Sequence, residues 1–166
     1  VATGCTPAGL PVPGADGPNV TLAVDALKPD GIRPTGNIVV IGGGLIGVET
    51  AVQFSLQPEN RVTVIEMLPQ IMNGCSDCDH IGYGDMIREK RIQVFTASRV
   101  SGITGEGVSF ERQGRKQLAP ADHVFLATGM KPDRGLYEQL LAQGVRVYNV
   151  GDSQAPGKIY DAIHSG

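Results

Sequence analysis

Apolar and polar positions divide the chain into an irregular start and a regular middle. "PAGLPVPGADGP", Pro7 to Pro18, is too rich in proline and glycine for a helix or a central strand. "VATGCTP" before it reads as the end of a strand entering a loop, and "TLAVDALKP" after it holds room for a short helix that Pro29 ends. "DGIRPTG", Asp30 to Gly36, is a second linker. From there the pattern is periodic. Ile38 to Ile41 is apolar throughout, as a strand buried on both faces should be. Leu45 to Leu56 predicts a helix in which Gly47, Ala51 and Ser55 fall four apart, a small-residue stripe that allows close approach to a sheet. Pro58 and Asn60 stop it. Strands are predicted at Arg61 to Glu66 and Ile92 to Phe95, with a helix over Asp79 to Arg91 weakened by Gly82 and Gly84. Three strand-like pieces with tight turns follow, Ser98 to Ile103, Gly107 to Glu111 and Arg115 to Leu118, an antiparallel meander. A buried strand at His123 to Thr128, a helix at Leu136 to Gly144, a strand at Val145 to Asp152 and a helix opening at Lys158 complete the chain.

Strands alternating with helices make this an α/β protein with a Rossmann-like parallel sheet that carries a three-stranded antiparallel meander. Its 166 residues suffice for one domain of ordinary size. A net charge of −3, with no basic block longer than Arg88 to Arg91, argues against nucleic acid as a partner. Glycines break the longest apolar stretch, so no membrane span or signal peptide is expected. Three cysteines, an odd number, point to a reducing compartment, the cytoplasm.

The chemistry concentrates at Gly42-Gly43-Gly44-Leu45-Ile46-Gly47, a G-x-G-x-x-G turn between a strand and a helix. Gly42 permits the tight turn, Gly44 lets a diphosphate approach the backbone, and Gly47 lets helix and strand pack closely. The free N–H groups and the positive helix end face the phosphates. Glu66 ends the next strand, where a carboxylate accepts hydrogen bonds from an adenosine ribose and repels a 2′-phosphate. Met67, Leu68, Pro69 and Gln70 supply no cation, so NAD(H) is favoured over NADP(H). A glycine-rich turn that binds nothing is the bland alternative.

"VATG" before this unit, "LATGMKP" closing it and "VYNVGD" after it resemble, in that order, the flavoprotein reductases in which an NAD(P) domain is inserted into an FAD domain. "VVIGGGLIGVETA", "VTVIEMLPQI", "FLATGMKPD" and "KIYDAIHSG" are similar to the C-terminal part of NADH:flavin oxidoreductases of the 2,4-dienoyl-CoA reductase type. The resemblance implies an NAD(H)-binding domain at 36–128, flanked at 1–35 and 129–166 by pieces of an incomplete FAD-binding domain. It assigns the diphosphate to Gly42, Gly44, Leu45, Ile46 and Gly47, and the adenosine ribose to Glu66. Glu49, placed in the first helical turn, lies toward the nicotinamide, with Thr128 and Gly129 at the domain crossing. Asp152 after Gly151 meets the FAD ribityl chain, and the helix carrying Ala162 and Ile163 points toward the flavin. Glu49 equally reads as a first-turn acid complementing the helix dipole, and Asp152 as an exposed turn carboxylate. The family also carries FMN and a 4Fe–4S centre, whose barrel and cysteine cluster this sequence lacks. The chain is therefore expected to be an excised piece of a parent flavoprotein, able to hold NAD(H) but not to turn over substrate. A non-catalytic ADP-binding module and a disulfide-reductase relative are the competing readings.

"CSDCDH", Cys75 to His80, contains C-x-x-C near a helix start. A surface loop with two thiols, a redox pair and a metal site all remain open there. Zinc wants four ligands where this run offers three. Cys5 reads as packing.

Overall fold

The computed structural model describes residues 1–165; Gly166, the last residue of the expected terminal helix, lies outside them. In chain order the elements are β1 (Cys5–Pro7), β2 (Val20–Leu22), α1 (Ala23–Ala26), β3 (Asn37–Ile41), α2 (Leu45–Ser55), β4 (Arg61–Ile65), α3 (Asp77–Glu89), β5 (Gln93–Phe95), β6 (Ser98–Thr104), β7 (Gly107–Arg112), β8 (Arg115–Pro120), β9 (His123–Leu126), β10 (Met130–Pro132), α4 (Gly135–Ala142), a 3-10 turn at Gly151–Ser153, and α5 (Ile159–His164). They form two compact units: residues 9–128, and residues 1–8 with 129–166.

The larger unit is a parallel sheet in the order β2-β9-β3-β4-β5 plus the antiparallel meander β6-β7-β8. The α/β class and both sheets agree with the sequence pattern. β3 shows why an unbroken apolar run suits its centre. Ile38 and Val40 point to one face, with Ala51 and Phe54 of α2 and with Phe125; Val39 and Ile41 point to the other, with Ile103, Val108 and Phe110 of the meander. All four β3 residues are buried. Each such side chain contributes about 1.5–3 kcal/mol relative to exposure. Paired rings mark both faces, Phe54 on Phe125 at 4.6 Å and Phe95 on Phe110 at 5.0 Å.

The boundary expected at Gly36 falls inside this unit. Val20–Leu22 pairs in parallel with Val124–Leu126 and so carries the unit back to Gly9. Asp122 clasps the entry to β3, accepting from the Asn37 N–H at 2.7 Å and from Asn37 Nδ2 at 3.0 Å. These bonds hold the Asp122 carboxyl below the usual carboxylate range, the backbone bond contributing most. α3 begins at Asp77, two residues earlier than the pattern predicts, because Ser76 and Asp79 form a reciprocal capping box.

In the smaller unit β1 pairs antiparallel with β10. The strand expected at Val145 to Asp152 does not form. Val1 is the neighbour along it, its ammonium donating to Tyr148 O and its carbonyl accepting from Val150 N–H, too little for a ladder. Gly151, at φ +66°, then turns the chain into the 3-10 turn. Among the described residues no helix is long and apolar enough to cross a membrane.

Candidate functional site at the glycine turn

The three motif glycines have three different surroundings. Gly42 sits at φ +106°, and a Cβ there would lie 2.2 Å from Ala127 O. A Cβ on Gly47 would lie 2.0 Å from Gly42 O and 3.2 Å from Ala127 Cβ, so this glycine brings α2 onto β3 and β9. A Cβ on Gly44 meets nothing within 4 Å. Gly42 and Gly47 are thus required by the protein's own packing, whereas Gly44 opens onto free space. Gly44 is also the N-cap of α2; it supplies no side-chain cap, and the first turn carries no acid. The orphan N–H groups and the positive end of α2 therefore face that space with no side-chain cap and no first-turn acid. Such a cradle fits a diphosphate.

Glu66 is 7% exposed, at the carboxyl end of β4. Its Oε2 accepts from the Gly43 N–H, and its Oε1 accepts from the Leu68 N–H at 2.7 Å. The acid is thereby fixed against the turn, and each oxygen keeps a lone pair for a further donor. The segment after it closes back on the turn: Met72 N–H donates to Gly43 O at 2.6 Å, with the Met72 side chain buried. Nothing in the sequence announces these backbone bonds; a carboxylate at that spacing is the visible part.

Leu45 and Ile46 open α2, half-buried. Glu49 is the fifth residue of α2 and stands beyond its first turn, contrary to the placement expected for it. The dipole effect fades within one turn, so Glu49 is no helix-dipole acid. Its Oε1 accepts from the Tyr83 hydroxyl of α3 at 3.1 Å, a partner the sequence did not suggest. Burial, then this carboxylate, pushes the Tyr83 phenol above its ordinary range. A cavity of about 320 Å³ lies beyond Met67, lined also by Ala97, Arg99, Glu111 and Gln113. Arg99, Glu111 and Gln113 come from the meander and Ala97 from the loop before it, and these went unnoticed because their spacing carries no motif.

Thr128 closes the larger unit, and Gly129 resumes the smaller one at φ +96°, its carbonyl accepting from Ala8 N–H. Within the smaller unit the Asp152 carboxylate is engaged on both oxygens, accepting from the Cys5 thiol at 3.4 Å and the Gly157 N–H at 3.1 Å. It is half-buried, so the reading as an exposed turn acid does not hold. Burial and Asp152 raise the Cys5 thiol pKa. Gly151 N–H donates to Ser165 Oγ at 2.7 Å. Ala162 and Ile163 are exposed on α5. Cys75 precedes the cap of α3 and Cys78 lies in its first turn, both as free thiols. Among the described residues no three His, Cys, Asp or Glu side chains gather as a metal site.

Residues 1–156 match the family described as pyridine nucleotide-disulphide oxidoreductase. The chain belongs to that family. It is a flavoprotein reductase domain, and the family works with FAD and a nicotinamide dinucleotide. Among its relatives, bilirubin reductase of Mediterraneibacter gnavus is 32% identical over 94% of the chain and 24% of its own length. Metal reductase of Desulforamulus reducens is 28% identical over 99% of the chain and 29% of its own. The solved structure of 2-naphthoyl-CoA reductase in complex with 2-naphthoyl-CoA superposes with a TM-score of 0.86 at 27% identity, covering 99% of this chain and 25% of that one. This family member thus spans about a quarter of the length of these relatives.

Proposed function

We propose that the turn Gly42–Gly47 and Glu66 bind NAD(H), and that in a larger flavin-dependent oxidoreductase this chain holds NADH for hydride transfer to FAD. The observation that carries the reading is the contrast at the motif: Gly44 open to solvent at an uncapped helix start, beside glycines that the packing forbids to change. The N–H groups at the start of α2 hold the diphosphate, and Glu66, already anchored, accepts from the adenosine ribose. Glu49 lies toward the nicotinamide, held by Tyr83, with Thr128 and Gly129 at the domain crossing. NADH supplies the hydride; the chain supplies position and a defined approach.

In the smaller unit, Gly151, Asp152, Ala162 and Ile163 belong to the FAD side. Passage of electrons through a 4Fe–4S centre to FMN, as in enzymes of the 2,4-dienoyl-CoA reductase type, rests on the wording of the sequence motifs alone. With one glycine turn, the chain alone binds dinucleotide without turning over a substrate, and its thiols suit the cytoplasm. Calorimetric titration of the chain with NADH and NADPH tests the assignment. NADH binds more tightly, because a 2′-phosphate meets the Glu66 carboxylate; tighter binding of NADPH overturns the role given to Glu66.

A further inference from the structure

The C-x-x-C run of the larger unit has no part in dinucleotide binding. Cys75 stands directly before Ser76, the N-cap of α3, and Cys78 is the second residue of that helix. Both are free thiols, Cys75 half-buried and Cys78 exposed. The backbone between them is pinned by the capping box: Ser76 N–H donates to Asp79 Oδ2 at 3.2 Å, and Asp79 N–H donates to Ser76 Oγ at 3.2 Å. Two thiols at this spacing on a fixed turn suit disulfide exchange, because the second sulfur is at hand when the first carries an adduct. A closed zinc site needs four ligands, and among the described residues no three His, Cys, Asp or Glu gather as one.

The surroundings select the reagent by charge. From Val62 to Ile87 the chain has no Lys or Arg, while Glu66, Asp77, Asp79 and Asp85 are acidic. α2, which packs against α3, carries Glu49 and no cation. Arg88, the first cation after Cys78, is held in an ion pair by Asp85. A cationic disulfide is therefore drawn toward Cys78 and an anionic one repelled, by roughly threefold in rate for each unit charge about 6 Å away in water.

The pair is also bonded to the glycine turn. Cys75 N–H donates to Met72 O at 3.0 Å, and Met72 N–H donates to Gly43 O at 2.6 Å. The Met72 side chain is buried, and its φ is +52°, a left-handed conformation that a side chain rarely holds. A disulfide has narrow geometric limits, so closing one at Cys75 draws on the backbone that leads through Met72 to Gly43.

We propose that Cys75 and Cys78 form a thiol–disulfide exchange site for cationic low-molecular-weight disulfides, and that its closing is felt at Gly43. The exposed Cys78 sulfur attacks one sulfur of the reagent RSSR; the S–S bond breaks, and the first RSH leaves with the Cys78 proton. Cys75 then attacks the Cys78 sulfur of the mixed disulfide, and the second RSH leaves with the Cys75 proton. Two protein thiols are oxidised to a disulfide and one reagent disulfide is reduced to two thiols. The dinucleotide assignment is not needed for this step.

The test treats the reduced chain, without air, with the dication cystamine and with anionic oxidised glutathione, and follows mass, thiol titration in denaturant and amide chemical shifts. With cystamine the expected product is lighter by two hydrogens, keeps Cys5 as its titratable thiol, and shows moved amide signals at Met72 and Gly43, all reversed by dithiothreitol. Oxidised glutathione reacts about threefold or more slower at low salt, and added salt narrows the gap. Cys75→Ser stops at a mixed disulfide on Cys78, and Cys78→Ser reacts slowly and closes no internal disulfide. A wild-type chain that accumulates mixed disulfides without closing one, or closes one through Cys5, overturns the exchange site. Oxidation that leaves the Met72 and Gly43 signals in place overturns the link to the turn, and glutathione reacting as fast as cystamine at low salt overturns the charge selection.

Discussion

Replacing Gly44 by alanine separates binding from folding. Gly44 has φ −66° and ψ −179°, open to any L-residue, and the new methyl would meet no protein atom within 4 Å. Alanine is a poorer N-cap than glycine by up to about 1 kcal/mol. It also lowers the entropy of the unfolded chain, which offsets about 0.4–1 kcal/mol. The net change in stability is therefore within about 1 kcal/mol of zero. The methyl does occupy the space through which a diphosphate reaches the N–H groups of α2. Losing one hydrogen bond to a charged oxygen costs about 1.5–3 kcal/mol, which is about 10- to 100-fold in affinity. Thermal unfolding and NADH calorimetry on the same preparation make the measurement. Gly47→Ala is the contrasting control. Its Cβ would overlap Gly42 O at 2.0 Å, so it lowers the melting temperature, with overpacking of this kind costing about 1–3 kcal/mol. NADH affinity in Gly44→Ala within twofold of wild type, with the fold intact, would refute the cradle.

Three further outcomes follow from individual contacts. Asp122, held below its ordinary pKa by Asn37, contributes stability that is present above the unfolded value near 3.8 and lost as pH falls through the lower folded value; Asp122→Asn flattens that part of the stability profile, and an unchanged profile contradicts the clasp. The Tyr83 phenol, raised by burial and Glu49, titrates above 10 by ultraviolet absorbance. Its native form is favoured while it stays neutral, so that contribution falls as pH rises from the unfolded value toward the folded one. Tyr83→Phe removes the bond to Glu49 at a cost of about 0.5–1.5 kcal/mol in urea unfolding. In a thiol-reagent time course at pH 8, Cys5 reacts more slowly than the exposed Cys78, because burial and Asp152 disfavour its thiolate; equal rates contradict that geometry.

Strong local signals were legible in the sequence. The apolar run of β3, buried on both faces, the small stripe of α2 and the Gly-containing turns of the meander each combine pattern and turn chemistry within a short window. What escaped depends on distant partners. Val20–Leu22 is three residues between two linkers and becomes a strand only because Val124–Leu126 lies beside it. Met130–Pro132 needs Cys5–Pro7 in the same way. Val145 to Val150 has a strand's composition and, among the described residues, no strand to pair with. At the site, the glycines and Glu66 stood out through their spacing. The Gly43 and Leu68 bonds that fix Glu66, the hydroxyl on Glu49 and the thiol on Asp152 arise from tertiary packing, which spacing does not encode.

The central claim is that a dinucleotide lies across the start of α2 and the end of β4. Amide chemical-shift mapping of the labelled chain during an NADH titration tests it directly. The account predicts saturable shifts centred on Gly43, Gly44, Leu45, Ile46 and Leu68, with Gly44→Ala suppressing them. Shifts that are absent at millimolar NADH, or that centre on residues away from this turn, would contradict it.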